Sequence, residues 1–140
     1  MKPIVLDASA VAAAFFAESH GDAAQRLLVS GGKLYAPDLI YAEVANVIWK
    51  RRGRQEIDDA EAAELLTDLL GLPLDITPSE QLVVPALNLA MRTGRTVYDC
   101  LYVALTVQTK SVMFSNDRRL VNAFADGPLK DRVLWLGEAE

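Results

Sequence analysis

Thr96-Val97-Tyr98-Asp99-Cys100-Leu101-Tyr102-Val103-Ala104-Leu105 is followed shortly by Ser111-Val112-Met113-Phe114-Ser115-Asn116-Asp117. The first part is apolar around nearly the whole helical circumference, the pattern of a helix buried on all sides. Thr96 is placed to cap that helix, with Asp99 three residues on in the capping-box position. Residues 111–114 form a short apolar run ended by polar residues, which predicts a buried strand. One carboxylate therefore falls in the first turn of a buried helix, and another just beyond the next strand. Each has an ordinary alternative, Asp99 as a helix-start residue and Asp117 as the first-turn acid of the following helix.

The N-terminal half repeats the theme. Pro3-Ile4-Val5-Leu6 predicts a buried strand ending in Asp7, and an Ala-rich helix follows over 8–17. A second helix is expected over 21–29, stopping at Ser30-Gly31-Gly32. Residues 33–36 predict a strand, and Pro37 sits as the N1 residue of a long helix to 50 or 51. Ile40, Val44, Val47 and Ile48 make its apolar stripe at spacings of three and four, with Glu43 beside it. A further helix runs from 58 to about 70, and residues 72–76 form an edge-like strand because of Pro73. Thr77-Pro78-Ser79-Glu80 gives the clearest helix start in the chain, and Pro85 should kink or restart that helix before 92–94 end it. A short helix over 118–125 and a strand over 133–136 complete the series.

Strands alternating with helices predict an α/β fold, a parallel sheet of about five strands covered by helices on both faces. The length suits one domain, residues 1–140, with a core large enough to stand without staples. Hydrophobic residues make up 51% and charged residues 24%, which excludes a disordered chain. The single cysteine, Cys100, can form no intrachain disulfide. With one histidine, His20, neither a Cys/His zinc site nor a Ser/His/Asp triad can be built. Asp7 interrupts what would otherwise imitate a signal peptide, and the apolar run over 8–17 is too short to span a bilayer, so a cytoplasmic setting is expected.

The net charge of −5 argues against a nucleic-acid partner. That balance would be largely offset if acids held divalent ions, and Lys50-Arg51-Arg52-Gly53-Arg54 is a sharp positive cluster. In open parallel sheets, ligands bind outside the carboxyl ends of the strands. Asp7 and Asp117 lie at such ends, and Glu43 and Asp99 can face the same crevice. Four carboxylates from four segments, with no evident basic partner, are costly to bury unless protonated or bound to a cation. Hard oxygen ligands of this kind suit Mg²⁺ or Mn²⁺.

Val5-Leu6-Asp7-Ala8-Ser9, Tyr41-Ala42-Glu43-Val44-Ala45-Asn46, Tyr98-Asp99-Cys100-Leu101-Tyr102-Val103-Ala104-Leu105 and Ser115-Asn116-Asp117 together resemble the PIN-domain pattern. In order and spacing they most resemble the VapC-type toxins of bacterial toxin–antitoxin pairs, over essentially the whole chain. The resemblance implies a Mg²⁺- or Mn²⁺-dependent endoribonuclease held inactive by a cognate antitoxin, usually as a homodimer within a larger complex. It implies Asp7, Glu43, Asp99 and Asp117 as metal-binding acids and Ser9 and Ser115 as water-positioning or supporting hydroxyls. Ser115 stands where a threonine is more usual. Asn116 is expected to act as an N-cap.

Lys50, Arg51, Arg52 and Arg54 are candidate contacts to the RNA backbone, or else helix-end charges. Phe15, Phe16, Tyr41 and Trp49 are expected in the core rather than stacked on bases. A haloacid-dehalogenase phosphatase would want a second Asp where Ser9 stands. A receiver domain would want paired acids and a late lysine. The remaining alternative is a catalytically idle PIN-like binding module.

Overall fold

β1 (Ile4–Leu6) is buried at all three positions. Successive strand residues point to opposite faces, so both sides of this strand are covered. The computed structural model describes residues 2–139. After β1 come α1 (Ala8–Phe15), α2 (Gly21–Leu28), β2 (Leu34–Pro37), α3 (Leu39–Gly53), α4 (Asp59–Leu70) and β3 (Leu74–Thr77). A 3₁₀ turn (Ser79–Gln81), α5 (Val83–Thr93), α6 (Val97–Gln108), β4 (Val112–Ser115), α7 (Arg118–Ala123), β5 (Val133–Trp135) and a last 3₁₀ turn (Leu136–Ala139) follow.

The five strands form one parallel sheet in the order β3-β2-β1-β4-β5. From β1 the chain builds outward to β2 and β3, then crosses back to place β4 and β5 on the other side. The order therefore reverses between β1 and β4, the position at which open α/β sheets form their ligand crevice. Leu6 pairs with Phe114 there, so Asp7 and Ser115 leave the two strands side by side.

α6 packs on β1, β2 and β4, and its residues 100–106 are buried without interruption. Its stretch is apolar on every side because it also lies against α5. α1 packs on β1 and β4 and touches α2 and α3. Its run of buried alanines lets α2 come close enough that a Cβ on Gly21 would stand 2.4 Å from the Ala13 carbonyl oxygen. Among the described residues, no helix is long and apolar enough to cross a membrane.

Three local expectations are corrected, at Pro37, Thr77 and Trp49, while the helix restart expected at Pro85 is found. Pro37 ends β2, paired with Thr77, instead of opening α3, because its missing N–H is tolerated at the end of a strand. Thr77 caps no helix: it is the last residue of β3, and its carbonyl accepts from Asp38 N–H at 3.0 Å. The turn after it is capped across the sheet, with Asp38 Oδ1 accepting from Ser79 N–H at 3.1 Å. The long helix restarts at Val83, leaving Pro85 in its first turn, where no intrahelical N–H partner is lost. Trp49, expected in the core, is 68% exposed on the outer side of α3.

Candidate metal-binding acid site

Asp7 is the N-cap of α1, with only 5% of its surface exposed. Its Oδ1 accepts from Ser9 Oγ at 2.6 Å and from the Ala10 N–H at 3.0 Å. Its Oδ2 accepts from the Ser115 hydroxyl at 2.5 Å. Burial pushes its pKa from 3.8 up to about 6, against the pull of those three hydrogen bonds, and the charge of Asp99 adds to the rise. Glu43, in the second turn of α3, is also raised by burial, with Asp99 again contributing. Tyr102 on α6 donates its hydroxyl to Glu43 Oε1 at 2.6 Å and works in the opposite direction. Burial and the Glu43 charge in turn push the Tyr102 phenol strongly up, so it remains a donor.

Asp99 is thus electrostatically coupled both to buried Asp7 and to half-buried Glu43. It is the third residue of α6, where Thr96 Oγ1 accepts its N–H at 3.1 Å. Its carboxylate turns away from the cap, and Oδ2 accepts from Arg95 Nη2 at 3.0 Å. Asp117 is the N-cap of α7, its Oδ1 accepting from Arg119 N–H at 2.9 Å and Leu120 N–H at 3.4 Å. Its Oδ2 lies 3.5 Å from the same Arg95 nitrogen. Asn116 is therefore not the cap; its side-chain amide donates to the Ser19 carbonyl at 3.0 Å.

Two hydroxyls lace the strand ends together. Ser9 Oγ accepts from Asn116 N–H at 2.9 Å, and Ser115 Oγ accepts from Asp117 N–H at 3.0 Å. Each also donates to Asp7, so the β1 and β4 ends are held at one carboxylate. Ser115 is fully buried, which fixes its rotamer without the methyl group of a threonine.

Arg95 and Tyr102 are the residues that sequence reasoning missed. Arg95 lies four positions before Asp99 but ahead of the α6 N-cap, so helical spacing alone does not pair them. The basic cluster does not approach this crevice as a group. Arg51 pairs with Glu18 and, at 3.2 Å, with Glu56, and its guanidinium lies 4.4 Å over the Phe16 ring. Arg52 pairs with Asp59, and Arg54 with Glu56 at 4.0 Å; Lys50 and Arg54 are exposed. Cys100 is buried with its thiol pKa raised by burial, an inert state.

Among the described residues, no three acids, histidines or cysteines are arranged to clasp one ion directly. Mg²⁺ keeps several waters and is held through one or two carboxylates, so four hard oxygen donors fit such an ion in kind. The buried, upshifted Asp7 is the group that a cation would relieve.

Residues 4–125 match the PIN domain family. The chain belongs to the PIN-domain family, in its VapC-type branch. It is 33% identical over 123 residues to Ribonuclease VapC3 of Pyrobaculum aerophilum, spanning 86% of this chain and 94% of that protein. The PIN fold is also that of PAE2754 from P. aerophilum, whose crystal structure superposes with a TM-score of 0.71 at 21% identity. That match covers 98% of this chain and 85% of the other. VapBC2 from Rickettsia felis, solved bound to a DNA fragment from its promoter, superposes with a TM-score of 0.60 at 14% identity. It covers 94% and 96% of the two chains, and at these identities both likenesses speak to the fold alone.

Proposed function

We propose that this PIN domain is a divalent-cation-dependent endoribonuclease, the toxin half of a toxin–antitoxin pair. The observation that carries the reading is the set of Asp7, Glu43, Asp99 and Asp117, with Asp99 acting by its charge on Asp7 and Glu43 and sharing Arg95 with Asp117, and with Asp7 driven up by burial. The similarity to Ribonuclease VapC3 supports RNA as the substrate, and membership of a VapC-type lineage supports an antitoxin partner.

In this reading the four acids hold Mg²⁺ or Mn²⁺. Such an ion supplies charge neutralisation at a phosphoryl oxygen and lowers the pKa of an attacking water. The chain's own groups position the donors. Ser9 and Ser115 hold both oxygens of Asp7, and Tyr102 aims Glu43 by its hydroxyl. Asp117 keeps Oδ1 on the α7 backbone and turns Oδ2 to the crevice. Lys50 and Arg54, exposed at the end of α3, are the members of the basic cluster best placed to meet the RNA backbone in solution. Arg51 is engaged within the chain.

The test is cleavage of an RNA pool by purified protein. Cleavage should require Mg²⁺ or Mn²⁺, stop in EDTA and return when the metal is restored. Persistent cleavage in EDTA would rule out the metal mechanism. One observation favours a second reading, a catalytically idle binding module: Arg95 already neutralises Asp99 and Asp117. A folded chain that takes up neither ion at millimolar concentration would establish that alternative.

A further inference from the structure

Arg95 is set at a corner built to aim it. α5 ends on Gly94 at φ 75°, and the Arg95 N–H donates to Thr93 Oγ1 at 3.2 Å. Thr96 then caps α6, so one residue spans the two helices and its side chain crosses the α6 N-terminus. There a single nitrogen, Nη2, meets Asp99 at 3.0 Å and Asp117 at 3.5 Å. This is not the bidentate fork that makes Arg–carboxylate pairs strong. Arg95 Nε, furthermore, is buried with no hydrogen-bond partner. A guanidinium that touches two carboxylates through one nitrogen, with another donor stranded, is held by charge more than by fit. It occupies oxygens that a divalent ion would need.

Resting on the metal-dependent reading above, we propose that Arg95 is a built-in competitor for the divalent cation. In the metal-free chain it is the counter-ion of Asp99 and Asp117, and an ion binds only as the guanidinium gives up those oxygens. The arrangement keeps four neighbouring carboxylates compatible with a folded apo state. It also weakens metal affinity in the absence of substrate. RNA relieves the competition, because a phosphodiester offers the released guanidinium two oxygens in the geometry it lacks here. Binding of RNA and of metal are then coupled through one side chain, and by linkage each strengthens the other.

Bracing and competition by Arg95 change metal affinity in opposite directions. If Arg95 merely braced the acids, removing it would loosen them and weaken metal binding. If it competes, removing it strengthens metal binding. The experiment is calorimetric titration of Mg²⁺ and Mn²⁺ into RNA-free wild type, Arg95→Ala and Arg95→Gln, each checked for folding by circular dichroism. Arg95→Gln keeps the bulk and loses the charge, and serves if the alanine variant does not fold. Metal affinity should rise about tenfold or more in the variants, equivalent to ~1.4 kcal/mol. A short uncleavable RNA should tighten metal binding more in wild type than in either variant. Equal or weaker metal binding by the folded variants overturns the competition while leaving the metal site standing. No metal uptake by wild type and variants alike overturns both the competition and the reading it rests on.

Discussion

Asp7 carries a carboxylate that the fold prefers protonated in the absence of metal, and this has a definite pH signature. Its pKa is raised from 3.8 in the open chain to about 6 in the folded one. Between those values the folded state holds a proton that the unfolded state has released, so stability falls as pH rises. The contribution is complete below pH 4, is lost by passage through pH 6 and stays lost above it. The full loss is about 3 kcal/mol at ~1.4 kcal/mol per pKa unit. Asp7→Asn keeps the cap acceptor to Ala10 and stays neutral. Metal-free Asp7→Asn should therefore match wild type in denaturant melts near pH 3.5 and exceed it by up to about 3 kcal/mol at pH 7. A difference that does not change with pH would contradict the account. Asp7 and Asp117 were legible as positions because each follows a short apolar strand, and Asp99 because it opens a helix that is apolar all round. The counter-ion was not, because Arg95 lies outside the helix whose spacing would have paired it with Asp99.

At the scale of elements, and among the described residues, the sequence pattern located each strand to within about two residues and most helix ends as closely, the starts of α3 and α5 being the main misses. The misses share a cause. Residues 37–39 and 77–79 carry strong helix-start chemistry, but β2 and β3 pair through Pro37 and Thr77, and the ladder outlasts the local preference. The Asp38–Ser79 cap that results joins residues 41 apart, which no local window can see. The contact between α1 and α2 was equally hidden, since it depends on a missing side chain. Gly21→Ala would push a methyl group to 2.4 Å from the Ala13 carbonyl oxygen, a backbone atom that cannot rotate away. It should cost about 2 kcal/mol or more and lower Tm by roughly 5–10 °C. An unchanged melting temperature would show that the helix pair slides freely.

On the scale of the whole molecule, the alternation of strands and helices predicts a parallel sheet but not its strand order. The order β3-β2-β1-β4-β5 sets the ends of β1 and β4 side by side, which brings Asp7 and the Ser115–Asp117 turn together. Sequence also cannot tell whether an apolar stripe faces its own core or another chain. Val84, Leu87 and Met91 recur at helical spacing along α5 and are exposed at 73%, 50% and 69%. Asp99 is the group common to the other three acids: its charge repels those of Asp7 and Glu43, and its guanidinium partner also reaches Asp117. The most direct test of the central claim is single-turnover RNA cleavage in Mg²⁺ by Asp99→Asn, a nearly isosteric change. Asp99→Asn should fold, still bind RNA and cleave it about a hundredfold more slowly or worse, the loss of ~3 kcal/mol of transition-state stabilisation. Cleavage within a few-fold of wild type would contradict the assignment of these acids as one catalytic centre.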